Sequence, residues 1–209
     1  MTQDIIQRSD DWFSARCGSL GASQIADALA KTRSGYSASR ANLRAKLVLE
    51  RLTGKQEDGF KSAAMQFGID NEEHARSAYQ FLMNASVQEV GLYKHPSINW
   101  THASPDGLVG ERGLLEIKVP QPATHLETLK SQTIADRYIK QMYWQMTCTG
   151  RDWCDFVSFQ PSFPEDLQFF CKRIERDDKV IADLESQVAE FLAEVEADLD
   201  ALNALRVAA

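Results

Sequence analysis

Three residues stand at a spacing that suits metal-assisted hydrolysis of a phosphate ester. Asp106 follows Ser104 and Pro105, and Glu116 and Lys118 come shortly after it in the chain. Carboxylates and a backbone carbonyl are hard oxygen ligands of the kind that Mg²⁺ prefers, and Mg²⁺ keeps several waters and shares phosphate oxygens. A lysine beside a metal-bound water can lower the pKa of that water and stabilise charge on the phosphate. The pattern therefore predicts a magnesium-dependent phosphodiester centre.

The residues around Glu116 predict a buried strand that ends before Pro120. Side chains alternate along a strand, so Glu116 and Lys118 share one face while Leu115 and Ile117 share the other. The glycine-rich stretch 107–113 offers turn chemistry that can bring Asp106 alongside this strand. An alternative interpretation is a solvated sheet face on which Glu116 forms a cross-strand salt bridge.

Length and composition favour one globular domain over residues 1–209, because 44% of the residues are apolar. The chain has no apolar run long enough for a membrane helix, and its N-terminus lacks the features of a signal peptide. We therefore expect a cytoplasmic location and no membrane partner. The four cysteines form no Cys-x-x-Cys pair and the four histidines are scattered, which argues against a zinc site or a disulfide framework.

The net charge of −7 is unevenly distributed. The segment from Asp177 to the end carries nine acidic and two basic residues, whereas residues 1–56 carry nine basic and five acidic ones. A nucleic-acid partner needs a basic surface. We expect an acidic C-terminal helix that faces away from a mildly basic groove; charge that is merely dispersed over the surface is the alternative.

Periodicity and end signals predict an α/β (α+β) fold with a central mixed β-sheet flanked by helices. Helices are expected from Ser9, from near Ser23, and over 38–52, 62–83, 136–148 and 178–205. Strands are expected over 87–94, 99–103, 114–119, 153–160 and 167–175, with loops at 33–37 and 55–61. The apolar stripe of the long final helix, from Ile181 to Leu202, predicts core packing, with a subunit contact as the alternative.

Two further residues have unremarkable interpretations when each is taken alone. Glu72 lies between Asp70 and Glu73 in a predicted helix, where it can be part of an ordinary acidic face. Gln141 can be a surface amide.

Six short motifs occur in a particular order along the chain, and their combination is specific although each motif alone is weak. They are Trp12-x-x-x-Arg16, Ala22-Ser23, Phe67-Gly68-x-x-x-Glu72, Ala103-Ser104-Pro105-Asp106-Gly107-Leu108, Leu115-Glu116-Ile117-Lys118-x-Pro120 and Tyr138-x-x-Gln141. With these motifs the chain resembles the phage lambda exonuclease family, the YqaJ-type viral recombinase nucleases of the PD-(D/E)xK superfamily. The resemblance extends from Asp10 through the final helix.

The resemblance implies a restriction-endonuclease-like core and a 5′→3′ exonuclease that acts on one strand of linear double-stranded DNA. Such an enzyme releases mononucleotides and leaves 3′ single-stranded overhangs for phage-type homologous recombination. By the same resemblance, Asp106, Glu116 and the Ile117 carbonyl bind Mg²⁺, Glu72 contributes to a second ion or its waters, and Mn²⁺ can substitute. Lys118 positions the attacking water, and Gln141 lines the same centre.

The resemblance also implies a pocket for the 5′-terminal phosphate formed by Arg16, Ser23 and Ser104. Arginine forks and hydroxyls bind phosphate oxygens well, which gives this role independent physical sense. A salt bridge with Asp10 or Asp11 is the alternative for Arg16. A hydrophobic wedge that separates the DNA strands would map near Ala64 and Met65.

The chain departs from the family pattern at one position of the predicted helix 136–148. Many members carry a second glutamine two residues after the first, where this chain has Tyr143. Gln145 lies one helical turn beyond Gln141 and therefore on the same face, which leaves open whether Gln145 or Tyr143 takes the place of that glutamine.

The expected partners are linear double-stranded DNA, two further copies of the chain in a ring-shaped homotrimer, and a single-strand annealing protein. The trimer and the annealing protein are implied by the resemblance alone. Two alternatives remain at this point. One is a related endonuclease that cuts closed circles, and the other is a DNA-binding or assembly protein without activity.

Overall fold

The computed structural model describes residues 7–33, 35–56 and 62–208. The helices are α1 (Asp10–Arg16), α2 (Ile25–Ala28), α3 (Ala38–Thr53), α4 (Ala63–Met83), α5 (Pro122–Ser131), α6 (Asp136–Thr149) and α7 (Asp178–Ala208), with short 3-10 helices at Ala22–Gln24 and Glu165–Leu167. The strands are β1 (Leu20–Gly21), β2 (Lys31–Thr32), β3 (Gly35–Tyr36), β4 (Val87–Gln88), β5 (Tyr93–Lys94), β6 (Thr101–Ala103), β7 (Gly107–Val109), β8 (Gly113–Lys118), β9 (Trp153–Phe159) and β10 (Phe169–Glu175). None of the helices in these ranges is long and apolar enough to cross a membrane.

A five-stranded mixed sheet in the order β10-β9-β8-β7-β4 forms the centre of the fold. Strands β8 and β9 are parallel, and the other neighbouring pairs are antiparallel. A second sheet has the order β1-β6-β5, and β2 pairs with β3. The expected mixed sheet flanked by helices is confirmed.

The two faces of the central sheet pack against different helices. Ala75 and Tyr79 of α4 contact the face that carries Leu115 and Ile117. Residues of α6 contact the opposite face, which carries Leu114. Because side chains alternate along β8, Glu116 points toward α6.

The long helix α7 closes a third apolar cluster with α2, α3 and α6. Five of its side chains are buried there, Leu184, Val188, Phe191, Leu192 and Val195, and Leu199 packs partly against the same cluster. The prediction of core packing for this stripe is confirmed, except that Leu202 at its end is 40% exposed.

Serine side chains begin three of the helices. Ser9, Ser37 and Ser62 precede α1, α3 and α4, and each hydroxyl accepts a hydrogen bond from a backbone N–H in the first turn. Gly54 ends α3 with a φ of 65°, a left-handed conformation that glycine adopts without strain. These caps explain why the predicted bounds of the helices agree closely with the structure.

Two expectations about elements are wrong, and two elements were not expected. The predicted strand 87–94 is two strands, β4 and β5, which belong to different sheets. Strand β7 and helix α5 were not predicted, and the expected loop at 33–37 contains β3. The greater part of the expected loop at 55–61 lies outside the described residues.

The expected separation of acidic helix and basic segment is also wrong. Arg40 and Arg44 of α3 both pair with Glu194 of α7, at 2.7 and 3.0 Å. Arg51 pairs with Glu196 at 2.8 Å. The acidic helix therefore faces the basic residues of α3 and neutralises them.

Candidate active site

Asp106 lies directly before β7 and beside β8. Its backbone N–H donates to the carbonyl of Leu115 at 3.1 Å, and the Ile117 N–H donates to Oδ2 of Asp106 at 2.6 Å. Because Gly107 pairs with Leu115 in the antiparallel register, Asp106 is placed opposite Glu116. The hairpin of β7 and β8 thus brings the two predicted carboxylates together.

Glu116 is buried, and hydrogen-bond donors reach both of its oxygens. Gln141 donates to Oε1 at 2.7 Å, and Gln145 donates to Oε2 at 2.5 Å. Lys118 forms an ion pair with Oε1 from the same face of β8. Glu116 is only 1% exposed and Gln141 is 8% exposed, so the interpretations as a solvated sheet face and a surface amide are both wrong.

The charges of the cluster shift the pKa values of its members in a consistent way. Burial and the carboxylates of Glu116 and Glu72 raise the pKa of Asp106 well above its usual range, against the opposing effects of Lys118 and the Ile117 N–H. Burial alone would lower the pKa of Lys118, but Glu116 and Asp106 outweigh it and raise that pKa. The cluster therefore favours the protonated form of Lys118 and disfavours the ionised form of Asp106.

Glu72 lies on α4, and each of its oxygens contacts an arginine. Arg8 Nη2 lies 2.6 Å from Oε2, and Arg76 Nη2 lies 2.8 Å from Oε1. The Glu72 side chain is 19% exposed, and its charge acts on Asp106. Glu72 is therefore an ion-paired neighbour of the cluster rather than part of an ordinary acidic helix face.

Arg16 and Ser104 are connected through one tryptophan. The guanidinium of Arg16 lies 3.9 Å from the centre of the Trp12 ring, and the indole N–H of Trp12 donates to Ser104 Oγ at 3.1 Å. Burial lowers the pKa of Arg16 to about 10, against the opposing effect of Glu50, so the group stays charged near neutral pH. Within the described part of the chain Arg16 forms no salt bridge, and the alternative pairing with Asp10 or Asp11 is not observed.

Across the ranges that the structure describes, no hydrogen bond or ion pair connects the side chains of Ser23 and Met65 to the other predicted site residues. Ser23 is exposed on the 3-10 helix Ala22–Gln24, and among the described residues its hydroxyl has no hydrogen-bond partner. Met65 is 56% exposed in the first turn of α4, where a wedge side chain would be available to DNA.

The donor chemistry of the cluster fits a divalent cation with oxygen ligands. Asp106 and Glu116 supply carboxylates side by side, with the Ile117 carbonyl as the further ligand that the resemblance implies. Between residues 7 and 208, as far as they are described, no three acidic, histidine or cysteine side chains are grouped closely enough to hold an ion by themselves. Glu72, whose oxygens contact arginines, has to change partners before it can join the first two carboxylates.

Three polar side chains of the site escaped sequence reasoning in whole or in part. Gln145 was an open alternative to Tyr143, and the structure places Gln145 on Glu116 while Tyr143 packs among apolar side chains. Arg8 and Gln7 precede the first predicted helix and gave no signal, because their partners are distant in the chain.

Comparison with known proteins places this geometry in a family. The model of the YqaJ-like viral recombinase domain matches residues 11–152. The crystal structure of an alkaline exonuclease, LHK-Exo from Laribacter hongkongensis, is 49% identical, with a TM-score of 0.89 over 95% of this chain and 98% of that chain. The same protein in complex with dAMP gives a TM-score of 0.90 with the same identity and coverage.

A more distant structure shares the fold alone. The phage related exonuclease from Haemophilus somnus 129PT is 11% identical, with a TM-score of 0.71 over 88% of this chain and 96% of that chain. No match was found among curated proteins.

Proposed function

The chain belongs to the YqaJ-like viral recombinase family, and from this premise we propose that it is a Mg²⁺-dependent 5′→3′ exonuclease of linear double-stranded DNA. The observation that carries the proposal is the buried cluster in which Asp106, Glu116 and Lys118 meet at the end of β8. Buried carboxylates beside a lysine are costly to maintain, which favours a chemical role over a structural one. A 49% identical alkaline exonuclease supports the same activity.

Each residue of the cluster has a defined task in this proposal. Asp106, Glu116, the Ile117 carbonyl and Glu72 hold the metal, with two ions expected. A bound divalent cation supplies an activated water and stabilises charge on the scissile phosphate. Lys118 orients the water and donates hydrogen bonds, and Gln141 fixes one oxygen of Glu116.

Mononucleotide release is supported by a relative. LHK-Exo was solved in complex with dAMP, a mononucleotide. An enzyme that removes one nucleotide at a time from the 5′ end leaves a 3′ single-stranded overhang. Such an overhang is the substrate of strand annealing, and this product fits a role in phage-type homologous recombination.

Arg16, Ser104 and Ser23 form the pocket for the 5′-terminal phosphate. Ser104 lies two positions before Asp106, so a phosphate bound there stands close to the metal ligands. Trp12 holds Arg16 by stacking and Ser104 by a hydrogen bond, and this arrangement orders two of the three phosphate ligands in advance. A phosphate held in this way sets the next linkage over the catalytic groups.

Assembly, partner and location extend the proposal. We place the chain in the cytoplasm as a single domain over 1–209 that forms a ring-shaped homotrimer and acts with a single-strand annealing protein. The trimer and the annealing protein are supported by the resemblance to the lambda exonuclease family, and the single domain and the location by length and composition.

Digestion of end-labelled linear duplex DNA with Mg²⁺ tests the activity, its polarity and its product length. The wild type is expected to release labelled mononucleotides from the 5′ end and to leave covalently closed circles intact. Lys118→Ala is expected to lose digestion by several orders of magnitude while it keeps the circular dichroism spectrum of the fold. Efficient cutting of closed circles would instead identify an endonuclease, and digestion by Lys118→Ala at the wild-type rate would remove Lys118 from the mechanism.

The phosphate pocket has its own test. Arg16→Ala is expected to lower the preference for 5′-phosphorylated over 5′-hydroxyl duplex by about 10- to 100-fold, because a charge-assisted hydrogen bond contributes about 1.5–3 kcal/mol. Arg112→Ala is the matched control, since Arg112 pairs with Asp152 at the far end of β8. An Arg16→Ala variant with the wild-type ratio would exclude Arg16 from the pocket.

A further inference from the structure

The short segment before α1 is hydrogen-bonded to the loop that leads into Asp106. Gln7 Nε2 donates to the carbonyl of Pro105 at 2.9 Å and to the carbonyl of Val90 at 2.8 Å. Arg8 follows with a φ of 68°, a left-handed conformation that is uncommon for a residue with a side chain. These contacts hold Arg8 beside the residues that precede Asp106.

Arg8 and Arg76 hold Glu72 in different ways. Arg76 is one helical turn from Glu72 on α4, its side chain is 11% exposed, and it also contacts Glu89 at 3.2 Å. Arg8 comes from a separate segment, and its side chain is 48% exposed. Arg8 is therefore the partner that can release Glu72 without a rearrangement of α4.

The charges of the cluster balance while Arg8 is bound. When Asp106 is ionised, as metal binding requires, Asp106, Glu116 and Glu72 carry three negative charges, and Lys118, Arg76 and Arg8 carry three positive ones. A divalent cation that enters this neutral set is opposed by the nearby arginine, and Glu72 offers it no oxygen free of an arginine contact. A DNA phosphate brings negative charge to the same place and offers Arg8 a new partner of suitable geometry.

We propose that Arg8 is an exchangeable counter-ion that leaves Glu72 for a backbone phosphate of DNA when Glu72 takes up a divalent cation. This proposal rests on the proposed function, since it needs both a metal and DNA at the site. Arg8 then makes metal binding and DNA binding favour each other, because each ligand removes the obstacle that Arg8 presents to the other. By linkage the two ligands strengthen one another by the same factor.

The test compares Arg8→Gln with wild type in two binding measurements that need no turnover. Calorimetric titration of Mn²⁺ without DNA is expected to show binding tighter by about two- to fivefold in Arg8→Gln, the range of a partly exposed ion pair. Equilibrium binding of a 5′-phosphorylated duplex in Ca²⁺, with the DNA checked to be intact afterwards, is expected to be weaker in the variant. The plot of log affinity against log salt concentration should become shallower, with the magnitude of its negative slope reduced by about 0.9, the value for one lost phosphate contact.

Two further variants serve as controls. Arg112→Gln removes an exposed, ion-paired arginine away from the site and is expected to change neither measurement. Arg8→Lys keeps the charge and is expected to stay within about twofold of wild type in Mn²⁺ affinity.

Each contrary result has a distinct meaning. Unchanged or weaker Mn²⁺ binding by Arg8→Gln overturns the competition for Glu72, and unchanged DNA affinity and salt slope overturn the transfer to phosphate. If wild type binds Mn²⁺ and digests linear DNA, and Arg8→Gln has the same Mn²⁺ affinity, DNA affinity and salt slope, the inference about Arg8 is refuted and the proposed function stands. A wild type that binds no divalent cation refutes the proposed function and this inference with it.

Discussion

Replacing Asp106 by asparagine is expected to stabilise the fold while it abolishes nuclease activity. Asp106 and Glu116 share one lysine, so once Asp106 ionises in a chelating buffer the three groups carry a net negative charge in a largely buried place. The uncharged asparagine side chain would remove that excess and leave Glu116 and Lys118 as a matched pair. Its amide oxygen can still accept the hydrogen bond that the Ile117 N–H donates to the aspartate.

The expected gain in the free energy of unfolding is about 1–2 kcal/mol, the usual yield from relieving one strained functional group. For a domain of this size that gain raises the melting temperature by roughly 2–8 °C. The assay is thermal and urea unfolding in EDTA near neutral pH. Asp166→Asn is the control, because Asp166 is exposed, and it should change stability by less than about 0.5 kcal/mol.

The pH dependence of the gain follows from the direction of the Asp106 pKa shift. A carboxyl group whose pKa is higher in the folded state than in the unfolded chain costs stability as the pH rises from the ordinary value of 3.8 through the raised pKa. Asp106→Asn is therefore expected to have the same free energy of unfolding as wild type near pH 4 (about the ordinary carboxyl pKa). Above the raised pKa its free energy of unfolding should exceed that of wild type. Excess Mg²⁺ should reduce or reverse this difference in the free energy of unfolding, because only the wild type keeps the full set of metal ligands. A variant less stable than wild type in EDTA, or a gain that does not vary with pH, would refute the reasoning.

Two other predictions concern buried polar groups near the site. Gln145→Leu removes a hydrogen-bond donor from the buried Glu116 and is expected to lower the free energy of unfolding in urea by about 1–3 kcal/mol. The control Gln187→Leu, on the exposed face of α7, should lower it little. Equal effects of the two changes would contradict the role of Gln145. Burial and the nearby Arg16 lower the pKa of His102 to about 3, so the fold keeps His102 neutral and loses stability as the pH falls from 6.5 toward that value. Between roughly pH 6.5 and 4.5, His102→Gln should therefore lose about 2–3 kcal/mol less free energy of unfolding than wild type. Parallel plots of unfolding free energy against pH would exclude His102 as the source of the acid-induced loss of stability.

Helix bounds could be predicted from the sequence because they depend on local chemistry. Ser9, Ser37 and Ser62 cap their helices through contacts within one turn, and Gly54 ends α3 by its own backbone preference. The signal for α5 was also local, since Pro122 stands at its first position, but the neighbouring Pro120 suggested only the end of a strand.

Strand pairing could not be read from the sequence in the same way. Residues 87–94 show one pattern of apolar alternation, yet β4 pairs with β7 and β5 pairs with β6 in another sheet. Alternation shows which side chains share a face and does not show which strand lies alongside. Strand β7 has only three residues, too few for any periodicity, and its glycine at position 107 suggested a turn.

The prediction that the acidic helix faces away from the basic segment failed for a related reason. Counts along the chain showed correctly that residues 1–56 are basic and that the last segment is acidic. They carried no information about orientation, and α3 and α7 pack together through Arg40, Arg44 and Glu194. Opposite charges on adjacent helices therefore neutralise each other, and the surface that binds DNA has to be sought around Arg16 and Lys118.

Gln141 and Gln145 both donate to Glu116, and helix geometry explains why the second donor stands at position 145 and not at position 143. Residue 143 lies about 200° around the helix from residue 141, whereas residue 145 returns to within about 40° of it. A glutamine at position 143 would point away from Glu116, into the place where Tyr143 packs among apolar side chains. Because position 145 shares the helix face of Gln141 and position 143 does not, the second donor to Glu116 comes from position 145, and a Tyr143→Gln change should not rescue Gln145→Leu.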